Sequence, residues 1–123
     1  MQDFKQIKAW QRAHALAIEL HKATRHFSRV NAGTLRKQLT SAADSVAATI
    51  VEGCGAATSP EFARYLDIAI KSANETEYHL LAARDRELIS QRQCEKFTAE
   101  VVEIRKMTIG YRKRVLANDR RER

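Results

Sequence analysis

The 123-residue chain has one proline, four glycines and two cysteines, and each scarcity excludes something. With so few helix breakers and a steady supply of Ala, Leu, Glu, Lys and Arg, helices can run throughout. No segment alternates apolar and polar residues as a half-buried strand would, so the fold class is all-α. Cys54 and Cys94 lack CxxC spacing and a nearby histidine cluster, which removes the usual zinc and thioredoxin-like readings and leaves two free thiols. The polar opening MQDFKQIKAW contains no apolar run of signal-peptide or membrane-span length, so the expectation is a cytoplasmic protein with no membrane partner.

Enzymatic constellations are equally thin. Di-iron bundles need Glu-x-x-His pairs, yet the residues three before His14, His21, His26 and His79 are Gln11, Ile18, Ala23 and Thr76. No arginine stands five to seven residues before any histidine, as small helical RNA-cleaving domains commonly require, and no glycine loop could cradle a phosphate. No metal, cofactor or catalytic activity is expected.

Charge is abundant and unevenly placed. Residues 1–40 hold eight Lys or Arg against two acids (+6), residues 41–104 six against eleven (−5), and residues 105–123 eight against two (+6). Basic termini on a small domain suit a polyanion such as RNA or DNA, or an acidic protein partner.

Between them lies QLTSAADSVAATIVEGCGAATSP, from Gln38 to Pro60, with only Asp44 and Glu52 charged. Leu35, Leu39, Ala42, Val46 and Ile50 form one stripe, while Ala43, Ala47, Ala48 and Val51 leave the other faces flat; a helix so apolar must be buried on several sides. Gly53 and Gly55 read as a left-handed helix cap, and Thr58-Ser59-Pro60-Glu61 as the start of the next helix. Around this centre the pattern predicts helix 1 from Asp3 to about Phe27, with Trp10 a core anchor. A loop over 28–33 follows, with Asn31 capping helix 2. Helix 3 runs from Ser59 to 84–88 on a Phe62, Leu66, Ala69, Ala73, Thr76, Leu80, Ala83 seam, beside a smaller Tyr65, Ile68, Ser72 stripe. Helix 4 opens at Ser90 with an S-x-x-Q capping box, and Gly110 weakens it by up to ~1 kcal/mol. Short connections make this an antiparallel up-down-up-down four-helix bundle over residues 1–117, followed by a fraying basic tail at 118–123.

Two sets of side chains stand out. One is polar and interior: Ser45 and Thr49, Glu52, Ser72 and Glu75. Glu52 sits near a helix C-terminus, where an anion needs outside donors, so its expected role is to fasten the glycine corner through the N–H groups opening helix 3. Glu75 and His79, one turn apart, form an i, i+4 contact. Glu52 and Glu75 are also the two carboxylates around which an uncharacterised enzyme would have to be built. The other set is basic: Lys5, Lys8, Arg12, Arg25, Arg29, Arg36 and Lys37, with Arg112, Lys113, Arg114 and the Arg120 to Arg123 tail, expected to form one nucleic-acid-binding surface of little sequence specificity.

Several of these residues also carry a resemblance. Trp10, Thr24, Phe27, Gln38, Ala42, Ala43, the run from Ser45 to Ile50-Val51-Glu52-Gly53, Gly55, Glu61-Phe62, Leu66, Ala69, Ser72 and Glu75 together resemble the four-helix bundle family first noticed as proteins encoded in intervening sequences of 23S ribosomal RNA genes. The chain departs from that pattern at Ser28, Ala47, Thr49 and Lys71. Relatives are similar to the accessory protein of diversity-generating retroelements, a pentameric barrel that binds nucleic acid and a reverse transcriptase. The resemblance implies a ring-shaped homo-oligomer, a homopentamer, without enzymatic activity, serving as a binding protein or as a scaffold for a nucleic-acid enzyme.

Overall fold

A computed structural model describes residues 2–122, with side chains to 119. Four helices carry the fold: α1 (Lys8–Ala23), α2 (Arg29–Cys54), α3 (Ser59–Asp85) and α4 (Gln91–Glu122); there is no strand among the described residues. Asp3 caps a separate 3₁₀ turn, Phe4–Gln6, by accepting from Lys5 N–H, and the extended backbone of Ile7 divides this turn from α1. The first helix is therefore shorter at both ends than its apolar stripe. Thr24 closes it, and Phe27 is buried from the connection beyond.

Ser28, not Asn31, caps α2: its extended backbone lets Oγ accept from Asn31 N–H at 3.4 Å, and Asn31 and Gly33 fall inside the helix. At the other end the expected left-handed cap is absent. Gly55 is right-handed (φ −88°, ψ 0°), and no described glycine has positive φ. Gly53 is required for a different reason, since a Cβ there would stand 2.7 Å from Phe62 Cδ1 and 3.0 Å from Tyr65 Cβ. The left-handed residue is Glu87 (φ 61°), where Glu87 N–H donates to Arg84 C=O and Leu88 N–H to Ala83 C=O. That pair of bonds is a Schellman closure of α3. Helix starts match the sequence better. Thr58 accepts from Glu61 N–H, and at Ser90 the reciprocal bonds with Gln93 (3.0 and 3.1 Å) complete the capping box.

Neighbouring helices run antiparallel, as cross-links show: His21 pairs with Asp44 between α1 and α2, Ser45 with Ser72 between α2 and α3, Glu77 with Arg105 and Asp67 with Arg112 between α3 and α4, and Arg12 with Glu100 between α1 and α4. The core runs along the axis through Leu20, Leu39, Ile50, Leu66, Leu80 and Ile104. Twelve of the 26 residues of α2 are buried, against nine of 27 in α3, which makes α2 the central helix. Fully buried Thr24, Thr76 and Thr108 each donate to the carbonyl four residues earlier, so their hydroxyls need no partner from another helix. α4 stays helical to Glu122, past the Asn118 at which the sequence pattern predicts fraying; no glycine or proline follows Gly110 to stop it.

Candidate nucleic-acid interface

The antiparallel arrangement decides where the cations go. Lys8 opens α1 and Arg25 follows its end, with the 16-residue helix, about 24 Å long, between them. The basic residues therefore form two clusters, one at each pole of the bundle, and not one surface. The first pole gathers Lys5 and Lys8 with Lys113 and Arg114 from the far end of α4. The second gathers Arg25, Arg29, Arg36 and Lys37 around the α1–α2 connection. The α3–α4 connection lies directly beside it, because Arg86 Nη2 donates to Asn31 C=O at 2.6 Å and His26 Nε2 meets Leu88 C=O at 3.0 Å. This connection brings Arg84, Arg86 and Arg92 to the same pole, residues that sequence reasoning misses. They belong to the segment that is acidic in sum, and only the topology shows which pole they join.

Three of the expected contact residues are committed elsewhere. Arg12 makes a bidentate ion pair with Glu100 (2.9 and 2.6 Å), and this hydrogen bond holds the Glu100 carboxyl below the usual carboxylate range, partial burial opposing it. Arg112 pairs with Asp67 at 2.8 Å. Arg36 donates to Thr24 Oγ1 and the His21 carbonyl, binding α2 to the end of α1. Arg114 lies over the Tyr111 ring, 5.6 Å from its centroid, and Lys5 over Phe4 at 6.0 Å; both remain at the surface. Arg120 to Arg123 lie outside the side chains described. Between the poles the waist carries both signs, Glu19, Asp44, Glu75 and Glu103 beside Lys71 and Lys96, with Glu100 and Glu77 already paired with Arg12 and Arg105, so attraction for a polyanion is concentrated at the two ends.

The interior polar set separates. Ser45 and Ser72 do meet, Oγ to Oγ at 2.9 Å. Thr49 is buried and satisfied by Ser45 C=O. Glu52, expected to tie the corner, is exposed, and its carboxylate accepts no hydrogen bond from a described residue. Glu61 takes that role, its Oε2 accepting from Ala57 N–H at 3.1 Å; one turn into α3 it can reach back over the corner, whereas Glu52 points away from it. Glu75 is exposed and pairs with the buried His79 at 3.3 Å. Gly53 packs against Phe62 and Tyr65, so Glu52 lies near the start of α3, and Glu75 is ten residues beyond Tyr65, about 15 Å along the axis. The two carboxylates do not converge on one site. Trp10 is a half-buried lid and not a core anchor: it stacks on His14 (5.1 Å, 6°) and meets Phe4 edge-on at 4.9 Å.

Both cysteines are free and buried, and burial pushes the Cys54 thiol up, which keeps it unreactive. Burial also raises Tyr111, Cys54 adding to the effect and Arg114 opposing it. Among the described residues no three His, Cys, Asp or Glu side chains gather as metal ligands, and no helix is long and apolar enough to cross a membrane.

A family model described as 23S rRNA-intervening sequence protein matches residues 5–110. The fold is similar to the crystal structure of a protein of unknown function from the S23 ribosomal protein family of Bacteroides thetaiotaomicron, with a TM-score of 0.76 and 29% identity, over 85% of this chain and 95% of that one. Comparison with curated proteins finds no match.

Proposed function

This chain belongs to the 23S rRNA-intervening sequence protein family, and from that premise we propose that it is a non-enzymatic, cytoplasmic, homo-oligomeric binding protein that holds RNA or DNA through its basic poles. The observation that carries the reading is the second pole, where two connections far apart in sequence bring Arg25, Arg29 and Lys37 together with Arg86 and Arg92. The acids beside them are Asp85, already held by Arg84, Glu87, and Glu95, which accepts from Gln91. Long, solvated cations on helix ends read phosphates and not base edges, so sequence specificity is low. In an oligomer the pole is repeated in every subunit, and weak contacts add through avidity. Acting as a scaffold for a nucleic-acid enzyme is compatible with the same surface.

Mobility-shift titration against structured RNA and duplex DNA at two salt concentrations tests it. If n phosphates are neutralised, log K falls with log salt at a slope of roughly −0.9n on duplex DNA. The Arg25→Glu, Arg29→Glu double variant should weaken binding alike on unrelated sequences and flatten that slope by about one for each phosphate that is no longer neutralised. No shift with either nucleic acid at low salt, or a shift indifferent to salt, would overturn the proposal and assign these charges to a protein partner.

A further inference from the structure

Clefts adjoin both poles: the one beside the α3–α4 connection is lined by Glu77 and Glu95 as well as Arg84, whereas the one at the first pole has only cations, Lys8 and Arg114, among its charged lining residues. Where the 3₁₀ turn and the start of α1 face the last third of α4, a cleft of about 530 Å³ opens between the two helices. Ligand sites commonly occupy about 300–1,000 Å³, so the cleft is large enough to enclose a planar group. Its floor is apolar, made by Ile7, Met107 and the Tyr111 ring. Its rim carries Lys8 and Arg114, and the amides of Gln2 and Gln6 supply donors and acceptors beside them.

Gly110 explains why the cleft is open. A glycine in the middle of a 32-residue helix weakens that helix, and here neither packing nor backbone geometry asks for it: a Cβ at Gly110 would meet nothing within 4 Å, and no described glycine has positive φ. Gly53, by contrast, is forced by its contact with Phe62. What the missing side chain at 110 does accomplish is to lower one wall of the cleft, since Gly110 is itself part of the lining.

We propose that this cleft takes an unpaired nucleobase from a single strand of RNA or DNA. The base lies against Tyr111 and the apolar floor, its edge faces the glutamine amides, and Lys8 and Arg114 hold the phosphates on either side. The inference rests on the nucleic-acid reading above and adds a preference to it. Charge complementarity selects the occupant: the floor suits any flat apolar ring, but cations at the mouth favour a ring flanked by anions. Arg114 keeps its charge beside the aromatic surface, its guanidinium carbon 5.6 Å from the Tyr111 ring centroid. A paired base cannot leave its stack without losing its partner, so the cleft discriminates between single strands and duplexes where the phosphate contacts of the second pole do not.

The test uses the whole chain with labelled homopolymer single strands, the same strands carrying an abasic residue at every other position, and duplexes of equal charge, read by fluorescence anisotropy. The unmodified protein should bind the intact single strand about tenfold more tightly than the abasic one, a modest value for loss of base stacking. Gly110→Leu extends an uncharged side chain from the lining of the cleft, at an exposed site where its Cβ meets nothing within 4 Å. It should remove that preference and leave duplex affinity and the salt slope unchanged. Equal binding of intact and abasic strands by the unmodified protein overturns the cleft assignment while the phosphate-binding reading stands, and so does equal weakening of single strand and duplex by Gly110→Leu. Failure to bind any of the three overturns both.

Discussion

At the scale of single residues, two glycines of α2 and α4 look alike in the sequence and differ in the fold. Replacing Gly53 by alanine raises intrinsic helix propensity by up to ~1 kcal/mol, but the new methyl would stand 2.7 Å from Phe62 and 3.0 Å from Tyr65 Cβ. Phe62 can swing away, whereas the Tyr65 Cβ moves only with the α3 backbone. Overpacking of this kind costs about 1–3 kcal/mol, so against the full propensity gain Gly53→Ala should destabilise by up to about 2 kcal/mol net. Gly110→Ala should stabilise by up to ~1 kcal/mol, because nothing lies within 4 Å of its added methyl. Chemical denaturation of the two variants beside the parent checks the opposite signs; stabilisation by both substitutions would mean that the corner is looser than this geometry. The glycine corner was legible in the sequence, but its reason was not, because a close approach between helices depends on tertiary contact and leaves no local signature. Glu87 was illegible altogether. A non-glycine residue at φ 61° carries local strain of about 1–2 kcal/mol, offset by the Schellman bonds and by Leu88 packing against the core.

At the scale of elements, each helix's apolar stripe was readable from 3-to-4 spacing, since one face of every helix packs inward. What spacing could not reveal was which cations face another helix. Arg12 lies on the polar side of α1, but that side turns toward α4, where Glu100 receives it. This pair spans a seam flanked by clefts on both sides, so it is the main polar tie between α1 and α4. Its two side chains are 41% and 32% exposed, and screening at that exposure limits the contribution to about 0.2–1 kcal/mol. The folded-state pKa of Glu100 is depressed by the hydrogen bond from Arg12, so the stabilisation is complete above the unfolded carboxylate pKa of about 4.3 and is lost as pH falls through the lower folded value. Glu100→Gln should therefore lower stability at neutral pH by no more than ~1 kcal/mol, and urea melts of parent and variant should converge only once the pH has fallen past the depressed folded-state value of Glu100. A gap that persists in acid would assign the loss to packing around Met107 and not to charge.

At the scale of the whole molecule, the bundle was legible because its central helix could not face water, and the poles were not, because they are products of topology. The same distinction governs self-association. Of the alanines that leave the faces of α2 flat, Ala43 and Ala47 are buried within the bundle itself, and Ala48 is exposed. It does not stand alone. The His21–Asp44 pair fixes the α1–α2 register so that Ile18, 43% exposed, lies level with it, and the Ser45–Ser72 bond brings Ile68, 44% exposed, alongside from α3. Three helices thus present two bulky aliphatic ridges with a shallow alanine furrow between them, a shape that a complementary face of the next subunit can fill. Association through it buries the ridges and leaves both basic poles free, which is the arrangement that avidity for a polyanion requires. Light scattering at micromolar concentration should return a multiple of the 14.0 kDa chain mass, fivefold if the family resemblance extends to stoichiometry. Ala48→Glu, placing a long charged side chain in the furrow, should return 14.0 kDa with helical content unchanged. A parent protein already at that mass would refute self-association, and an assembly unaffected by Ala48→Glu would move the contact to the exposed Tyr78 and Leu81 on the far side of α3.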